Sequence, residues 1–165
     1  ILPNNKNIIL AAKEAASMTV KNVAVIPTIS IPQGFSAMFR LIPDSDFNEI
    51  VEAMNEAMAE VETGEITTAT RTVEIDDVQV EKGQVIALHN GHLVSSTQTI
   101  EEACEQLLIA ANTHAYERIT LFYGQDINLA RVNQLADKIR SIYPDHEIEV
   151  HEGGQPHYQF LIAIE

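Results

Sequence analysis

An α/β fold in two subdomains is what this 165-residue sequence predicts, and three observations carry that expectation. Residues 1–41 run twice through a strand–loop–helix order. Near residues 62–65 the apolar period shifts from that of helices to that of short strands. The last stretch, Tyr158–Ile164, is apolar on both alternating faces, as a strand in the middle of a covered sheet must be. The expected division is 1–62, the remaining part of a truncated first subdomain on a parallel sheet, and 63–165, a second subdomain with a mixed sheet. A hydrophobic content of 45% suffices for one large domain or two small ones. The start at Ile1, read as the end of a buried strand, suggests a piece of a longer protein.

In the first unit, Ile1–Leu2 is that strand end, Pro3-Asn4-Asn5-Lys6-Asn7 the loop, and Ile8–Met18 the helix, its free N–H groups within reach of the loop asparagines. Val23–Ile26 is the second buried strand and Pro27–Gly34 the second loop, in which Pro27 and Pro32 lock φ and Gly34 frees it. Phe35–Leu41 is a short helix. Such loops gather at the carboxyl ends of parallel strands, where ligands and partners dock. After Pro43, Asp46 and Glu49 form a capping box for a helix whose inner face is Phe47, Ile50, Val51, Met54, Met58 and Val61. Gly64 is expected to end it.

Period-two stretches follow: 66–73, then Val73–Ile75, a turn at Asp76-Asp77, Val78–Val80, a turn at Lys82-Gly83, and Gln84–Leu88. Asn90-Gly91 is a strong hairpin signal before Leu93–Val94. Thr99 and Glu102 cap a helix over Ile100–His114 with Ile100, Cys104, Leu107, Leu108 and Ala111 inward. Ile119–Tyr123 is a strand stopped by Gly124. Leu129–Tyr143 is a helix with Leu129, Val132, Leu135, Ala136, Ile139 and Ile142 inward. Ile148–Val150 and Tyr158–Ile164 are the last strands.

Net charge is −14, which argues against nucleic acid and anionic lipid surfaces as partners. The charge is uneven. Residues 1–43 hold Lys6, Lys13, Lys21 and Arg40 against Glu14 alone, whereas 44–65 carry eight acids and no base, the mark of a solvated face. The basic segment suits an anionic group or an acidic partner surface. No apolar run reaches membrane-spanning length, and one Cys, a core residue by its spacing, fits a reducing, cytoplasmic setting.

Phosphate-cradling glycine motifs are absent, and Asp44-Ser45-Asp46 reads as helix capping, so no catalytic residue is assigned. His89 with His92, and His151 with His157, form suggestive pairs, yet the sequence near them offers no further ligands for a zinc set, and no metal site is expected. Gly153-Gly154-Gln155-Pro156 permits close backbone approach, although a hairpin turn alone explains two glycines.

Residues 1–16, ILPNNKNIILAAKEAA, followed by VIPTISIPQGFSA at 25–37, TGEITTATR at 63–71, LFYGQDI at 121–127 and the ending GGQPHYQFLIAIE, resemble the C-terminal region of the dihydroxyacetone-kinase-related YloV family, which includes the large, ATP-binding subunit of bacterial fatty acid kinase. The resemblance implies a DegV-like fold. It also implies a role in docking a DegV-like fatty-acid-binding partner for acyl phosphate formation, with ATP and Mg²⁺ held in an N-terminal kinase domain and no cofactor here. A glycerone kinase-like domain binding a small anionic or acyl ligand is the alternative, and a homodimer of the full subunit is possible. The contact loops it points to are Pro3, Asn4, Asn5, Lys6 and Asn7; Pro27, Thr28, Pro32, Gln33 and Gly34; and Gly153, Gly154, Gln155, Pro156 and Tyr158.

Overall fold

The computed structural model of the protein describes residues 1–75 and 78–165. The turn expected at Asp76-Asp77 lies outside the described residues. The chain forms two units, Ile1–Val61 and Glu62–Glu165.

The first unit contains three helices, α1 (Ile9–Ser17), α2 (Ile31–Phe39) and α3 (Phe47–Ala59). The strands expected at Ile1–Leu2 and Val23–Ile26 do not make a ladder. The Ile1 amino group donates to the Ala24 carbonyl (2.7 Å) and the Ile26 N–H to the Ile1 carbonyl (3.0 Å), which is the pattern of a single parallel bridge. Burial organises these segments instead: Leu2 and Ile26 pack with Ala37, Ile50, Val51, Met54 and Met58. The asparagines of the first loop do not cap α1, whose N-cap is Ile8 with no side-chain bond. Asn5 turns back on its own loop and accepts from the Asn7 N–H (2.9 Å).

Helix α2 begins at Ile31, not Phe35. Ser30 is extended and its hydroxyl accepts from the Gln33 N–H (3.3 Å), while Pro32 falls in the first turn, where a missing N–H costs nothing. Pro32, Gln33 and Gly34 therefore belong to the helix rather than to a loop. The Ser36 hydroxyl donates to the Ala57 carbonyl (3.2 Å) and ties α2 to α3. Asp46 caps α3 as expected, accepting from Asn48 N–H (2.8 Å) and Glu49 N–H (3.3 Å).

The second unit is built on a six-stranded sheet of β1 (Glu62–Thr68), β4 (Val85–His89), β5 (His92–Thr97), β6 (Arg118–Tyr123), β7 (Glu147–Glu152) and β8 (Tyr158–Ile164), in the order β5-β4-β1-β8-β6-β7. Only β6 and β7 pair in parallel. The short strands β2 (Val73–Ile75) and β3 (Val78–Val80) pair separately, and Val80 joins Ala69 and Leu93 in a small cluster. Asn90 and Gly91 have φ of 51° and 80°, the paired left-handed conformations that a two-residue hairpin needs, and they join β4 to β5. Strand β8 lies between β1 and β6, as its apolar sequence requires.

Helices α4 (Ile100–Ala110) and α5 (Leu129–Ile142) contribute to one core with Ile66, Ile119, Leu121, Phe160 and Ile162. Arg131 bonds Glu101 (3.2 Å) and Lys138 bonds Glu105 (2.9 Å), linking the two helices. Helix α4 stops at Ala110 rather than His114. Asn112 turns left-handed at φ 51°, and a 3₁₀ turn, Thr113–Ala115, follows, pinned by the Thr113 hydroxyl on the Leu108 carbonyl (2.7 Å). Leu129 and Ile142, expected inward, are exposed at the two ends of α5.

Gly64 does not stop a helix. It lies within β1, where a Cβ would meet Leu107 Cδ2 at 2.5 Å and Ile162 Cβ at 3.2 Å. Its absence of a side chain lets α4 approach the sheet. Leu107 is fully buried and cannot swing away, so Gly64→Ala is expected to destabilise the protein by about 1–3 kcal/mol through overpacking; an unchanged midpoint in urea unfolding would show that α4 yields. Burial pushes the Cys104 thiol up to about 12. Cys104 should therefore resist a thiol reagent at pH 8 in the native protein and react once in denaturant; rapid native labelling would contradict that placement.

Candidate functional site

Two of the three expected contact loops meet in the first unit. Asn4 adopts φ 51°, a conformation asparagine tolerates, and this turns its side chain onto Thr28. The Asn4 N–H donates to Thr28 Oγ1 (3.0 Å), and the Thr28 hydroxyl donates to Asn4 Oδ1 (2.7 Å). The same carboxamide lies over Gly34, where a Cβ would collide with Asn4 Oδ1. Gln33 folds back so that its Oε1 accepts from the Ile29 N–H (2.9 Å). The polar groups at the start of α2 are thus largely spent on holding the two loops together. Thr28, Pro32 and Gly34 are buried, Pro3, Asn4, Pro27 and Gln33 partly so, and Asn5, Lys6 and Asn7 face solvent.

Gly153–Tyr158 belongs to the second unit and is no hairpin. β7 and β8 are not neighbours, because β6 lies between them, so the loop arches over the carboxyl end of β6. Gly153 and Gly154 N–H both donate to the Tyr123 carbonyl (3.0 and 3.1 Å), and Gln155 Nε2 donates to the Phe122 carbonyl (2.8 Å). The Gln155 carbonyl accepts from Gln125 N–H (3.1 Å), and a Cβ at Gly124 would collide with the Tyr158 carbonyl. These bonds account for the sequence chemically: glycines for close approach, an amide for the Phe122 carbonyl of β6. Gly153, Gly154 and Pro156 remain exposed, Gln155 and Tyr158 partly buried.

His89 and His92 face each other across the β4–β5 hairpin, whereas His151 and His157 do not form a pair. His151 stacks on Phe122 with ring centroids 5.8 Å apart and bonds Glu149 (3.0 Å), while His157 sits in the arch at φ 70°, its carbonyl held by the Thr67 hydroxyl (2.7 Å). Among the described residues, no three His, Cys, Asp or Glu side chains gather as a metal ion would require.

One polar cluster is invisible in the sequence. Glu62 Oε2 accepts from His89 Nε2 and Asn90 Nδ2, each at 2.5 Å, and its Oε1 accepts from the Tyr116 hydroxyl at 3.3 Å. Asn90 completes the knot, its Oδ1 accepting from Thr63 N–H (2.9 Å). Burial, and then the Glu62 charge, raise the Tyr116 hydroxyl above its ordinary pKa. In sequence Glu62 is one more acid at the end of an acidic run, with its partners 27, 28 and 54 residues away.

Thr28→Val removes the hydroxyl that serves both Asn4 groups and leaves a donor and an acceptor unpaired. A loss of about 1–3 kcal/mol in chemical denaturation is expected; an unchanged midpoint would mean that the Asn4–Thr28 bonds are dispensable.

The match to known proteins covers the whole chain. The FakA-like C-terminal family model, which describes the C-terminal part of fatty acid kinase A-like subunits, matches residues 1–165. An uncharacterized protein of Staphylococcus epidermidis is 41% identical over 165 residues, and one of Staphylococcus aureus 39%. Each match takes in 100% of this chain but 30% of the relative, so the chain spans under a third of the length of these proteins. Among solved structures, a DegV family protein of Corynebacterium glutamicum aligns with a TM-score of 0.62 at 16% identity, covering 93% of this chain and 68% of that one. The Streptococcus pneumoniae fatty acid kinase B3 protein, solved with linoleic acid, aligns at 0.60 and 14%, covering 97% and 66%. A DegV family protein of Thermus thermophilus, solved for its fatty acid binding, gives 0.59 and 13%, covering 95% and 66%. At such identities the likeness establishes a DegV-like fold and nothing finer. With the family model spanning every residue, the chain belongs to the FakA-like C-terminal family of fatty acid kinase.

Proposed function

We propose that these residues form a docking domain, without catalytic groups of its own, in the large subunit of a fatty acid kinase. In this reading the domain engages a DegV-like fatty-acid-binding protein and holds it where its acyl carboxylate is phosphorylated. ATP and Mg²⁺ are held elsewhere in the subunit, and the full subunit is a homodimer. The observation that carries the reading is family membership along all 165 residues in a region named for the kinase subunit's C-terminal part. The sequence supports it too, having no phosphate-cradling motif. So do the contact loops, whose exposed residues Asn5, Lys6 and Asn7, and Gly153, Gly154 and Pro156, stand on internally bonded scaffolds. Pre-ordered loops lower the entropic cost of binding.

The alternative is a small anionic or acyl ligand site at the opening loops. The fatty acid binding named for two of the structural neighbours favours it. The start of α2 speaks against it, since Ser30, Gln33 and Asn4 are already occupied there.

Calorimetric titration with the DegV-like protein of the same organism, fatty-acid-loaded and empty, separates the readings. Docking predicts saturable binding, weakened by Lys6→Glu more at low salt than at high salt. The ligand reading predicts instead a rise in melting temperature with a fatty acid or inorganic phosphate alone. Absence of partner binding together with such a rise would replace the first reading by the second.

A further inference from the structure

Asn90-Gly91 is the one Asn-Gly step in the sequence, and it carries a chemistry of its own besides forming a hairpin turn. Asparagine is among the thermolabile residues, because the backbone nitrogen of the following residue can attack its side-chain carboxamide carbon. Glycine as that following residue hinders the approach least. A Cβ at Gly91 would meet nothing within 4 Å, so no neighbouring group packs against that side of the turn.

The fold puts this carboxamide to another use. The Thr63 N–H can only donate, so the Asn90 oxygen faces it, at 2.9 Å. The amide nitrogen then faces Glu62 and donates to its Oε2 at 2.5 Å. The Asn90 N–H donates to the Thr63 carbonyl at 2.8 Å. Asn90 thereby carries the β1–β4 ladder one pair beyond Gly64 and His89, its side chain standing in for a strand carbonyl. For its carboxamide carbon to reach the Gly91 nitrogen, the side chain must leave both Thr63 and Glu62. That leaves a part-buried donor and a carboxylate oxygen short of partners, which slows the reaction by the cost of the opening.

We infer that Asn90 is a site of spontaneous deamidation, held closed by Glu62 and Thr63, whose conversion sets two carboxylates against each other at the start of β1. In the step, the Gly91 nitrogen loses its proton and bonds to the Asn90 carboxamide carbon. The carbon–nitrogen bond of the carboxamide breaks, and ammonia leaves. The five-membered imide that results takes up one water, the only co-reactant. Opening at the side-chain carbonyl gives aspartate, and opening at the main-chain carbonyl gives isoaspartate. Either product replaces the amide donor facing Glu62 by a negative charge, and like charges so close repel. Isoaspartate also adds a methylene to the backbone of a two-residue turn, whose length fixes the register of the hairpin. His89 and Tyr116 bond the same Glu62 carboxylate, so they share in the disturbance.

The test is mass spectrometry of the peptide containing Asn90 after the purified chain has been held at mildly alkaline pH. Wild type is compared folded and in guanidinium chloride, and Glu62→Ala and Glu62→Gln are compared folded, with far-UV dichroism and melting as fold controls. Folded wild type is expected to convert at least about tenfold more slowly than the denatured chain. Glu62→Ala should convert several-fold faster than folded wild type, with Glu62→Gln, which keeps an acceptor, between them. Thr28→Val, which weakens the other unit, should leave the rate at its wild-type value. Asn90→Asp, one of the two products, should lower the midpoint of urea unfolding, and adding Glu62→Gln should recover part of the loss because one facing charge is gone. Absence of conversion even in guanidinium chloride overturns the inference, as do equal rates in the folded and denatured wild type. A rate that Glu62→Ala leaves unchanged overturns it by removing Glu62 as the restraint. An unchanged midpoint for Asn90→Asp overturns it as well, since conversion would then leave the joint intact. Should neither Glu62 variant fold, the wild-type comparison and Asn90→Asp decide.

Discussion

The second unit depends on one constraint: the last strand must be buried on both faces. Tyr158–Ile164 alternates Phe160, Ile162 and Ile164 toward the main core with Leu161 and Ala163 on the other face, and all five are buried. Only a central position satisfies such a strand, so β8 inserts between β1 and β6 and bonds to both. The insertion separates β8 from β7, its predecessor in the chain. The connection must then cross the end of β6, and the Gly-Gly-Gln-Pro segment is what a crossing at hydrogen-bonding distance demands. Gly64 answers the same burial from the neighbouring strand, making room for Leu107 above Ile162.

The first unit follows a different logic. Its extended segments share one parallel bridge, and its small core is shared among Ile26, Ala37 and Met54 with partly buried neighbours. Local polar bonds do much of the ordering: Asn4 with Thr28, Ser30 with Gln33, Gln33 with Ile29, and Asp46 at the start of α3. Such bonds fix loop shape at modest net free energy, and Lys6 and Asn7 stay exposed beside them.

The DegV-like fold is shared with proteins solved with fatty acid, while the family is that of the kinase subunit's C-terminal region. Shared architecture does not carry function with it. What distinguishes the docking and ligand readings here is local: whether the polar groups at the loops are free or spent. At Thr28, Gln33 and Gln155 they are spent on the protein itself.

The sequence by itself determined whatever depends on near neighbours along the chain. Helix α3 and its Asp46 cap, the Thr99 cap of α4, the Asn90-Gly91 hairpin and the central place of Tyr158–Ile164 are all written in spacings of a few residues. The motifs that identify the family are equally local. Tertiary structure decided the rest. Whether Pro32 and Gly34 lie in a loop or a helix turned on Ser30 and on an Asn4 carboxamide thirty residues upstream. Whether Gly64 ends a helix or clears a path for Leu107 turned on a packing partner forty-three residues away. Glu62 became the centre of a polar knot only because three strand and loop ends converge on it. Glycines and isolated carboxylates carry no periodicity, so their meaning waits on what the fold brings beside them.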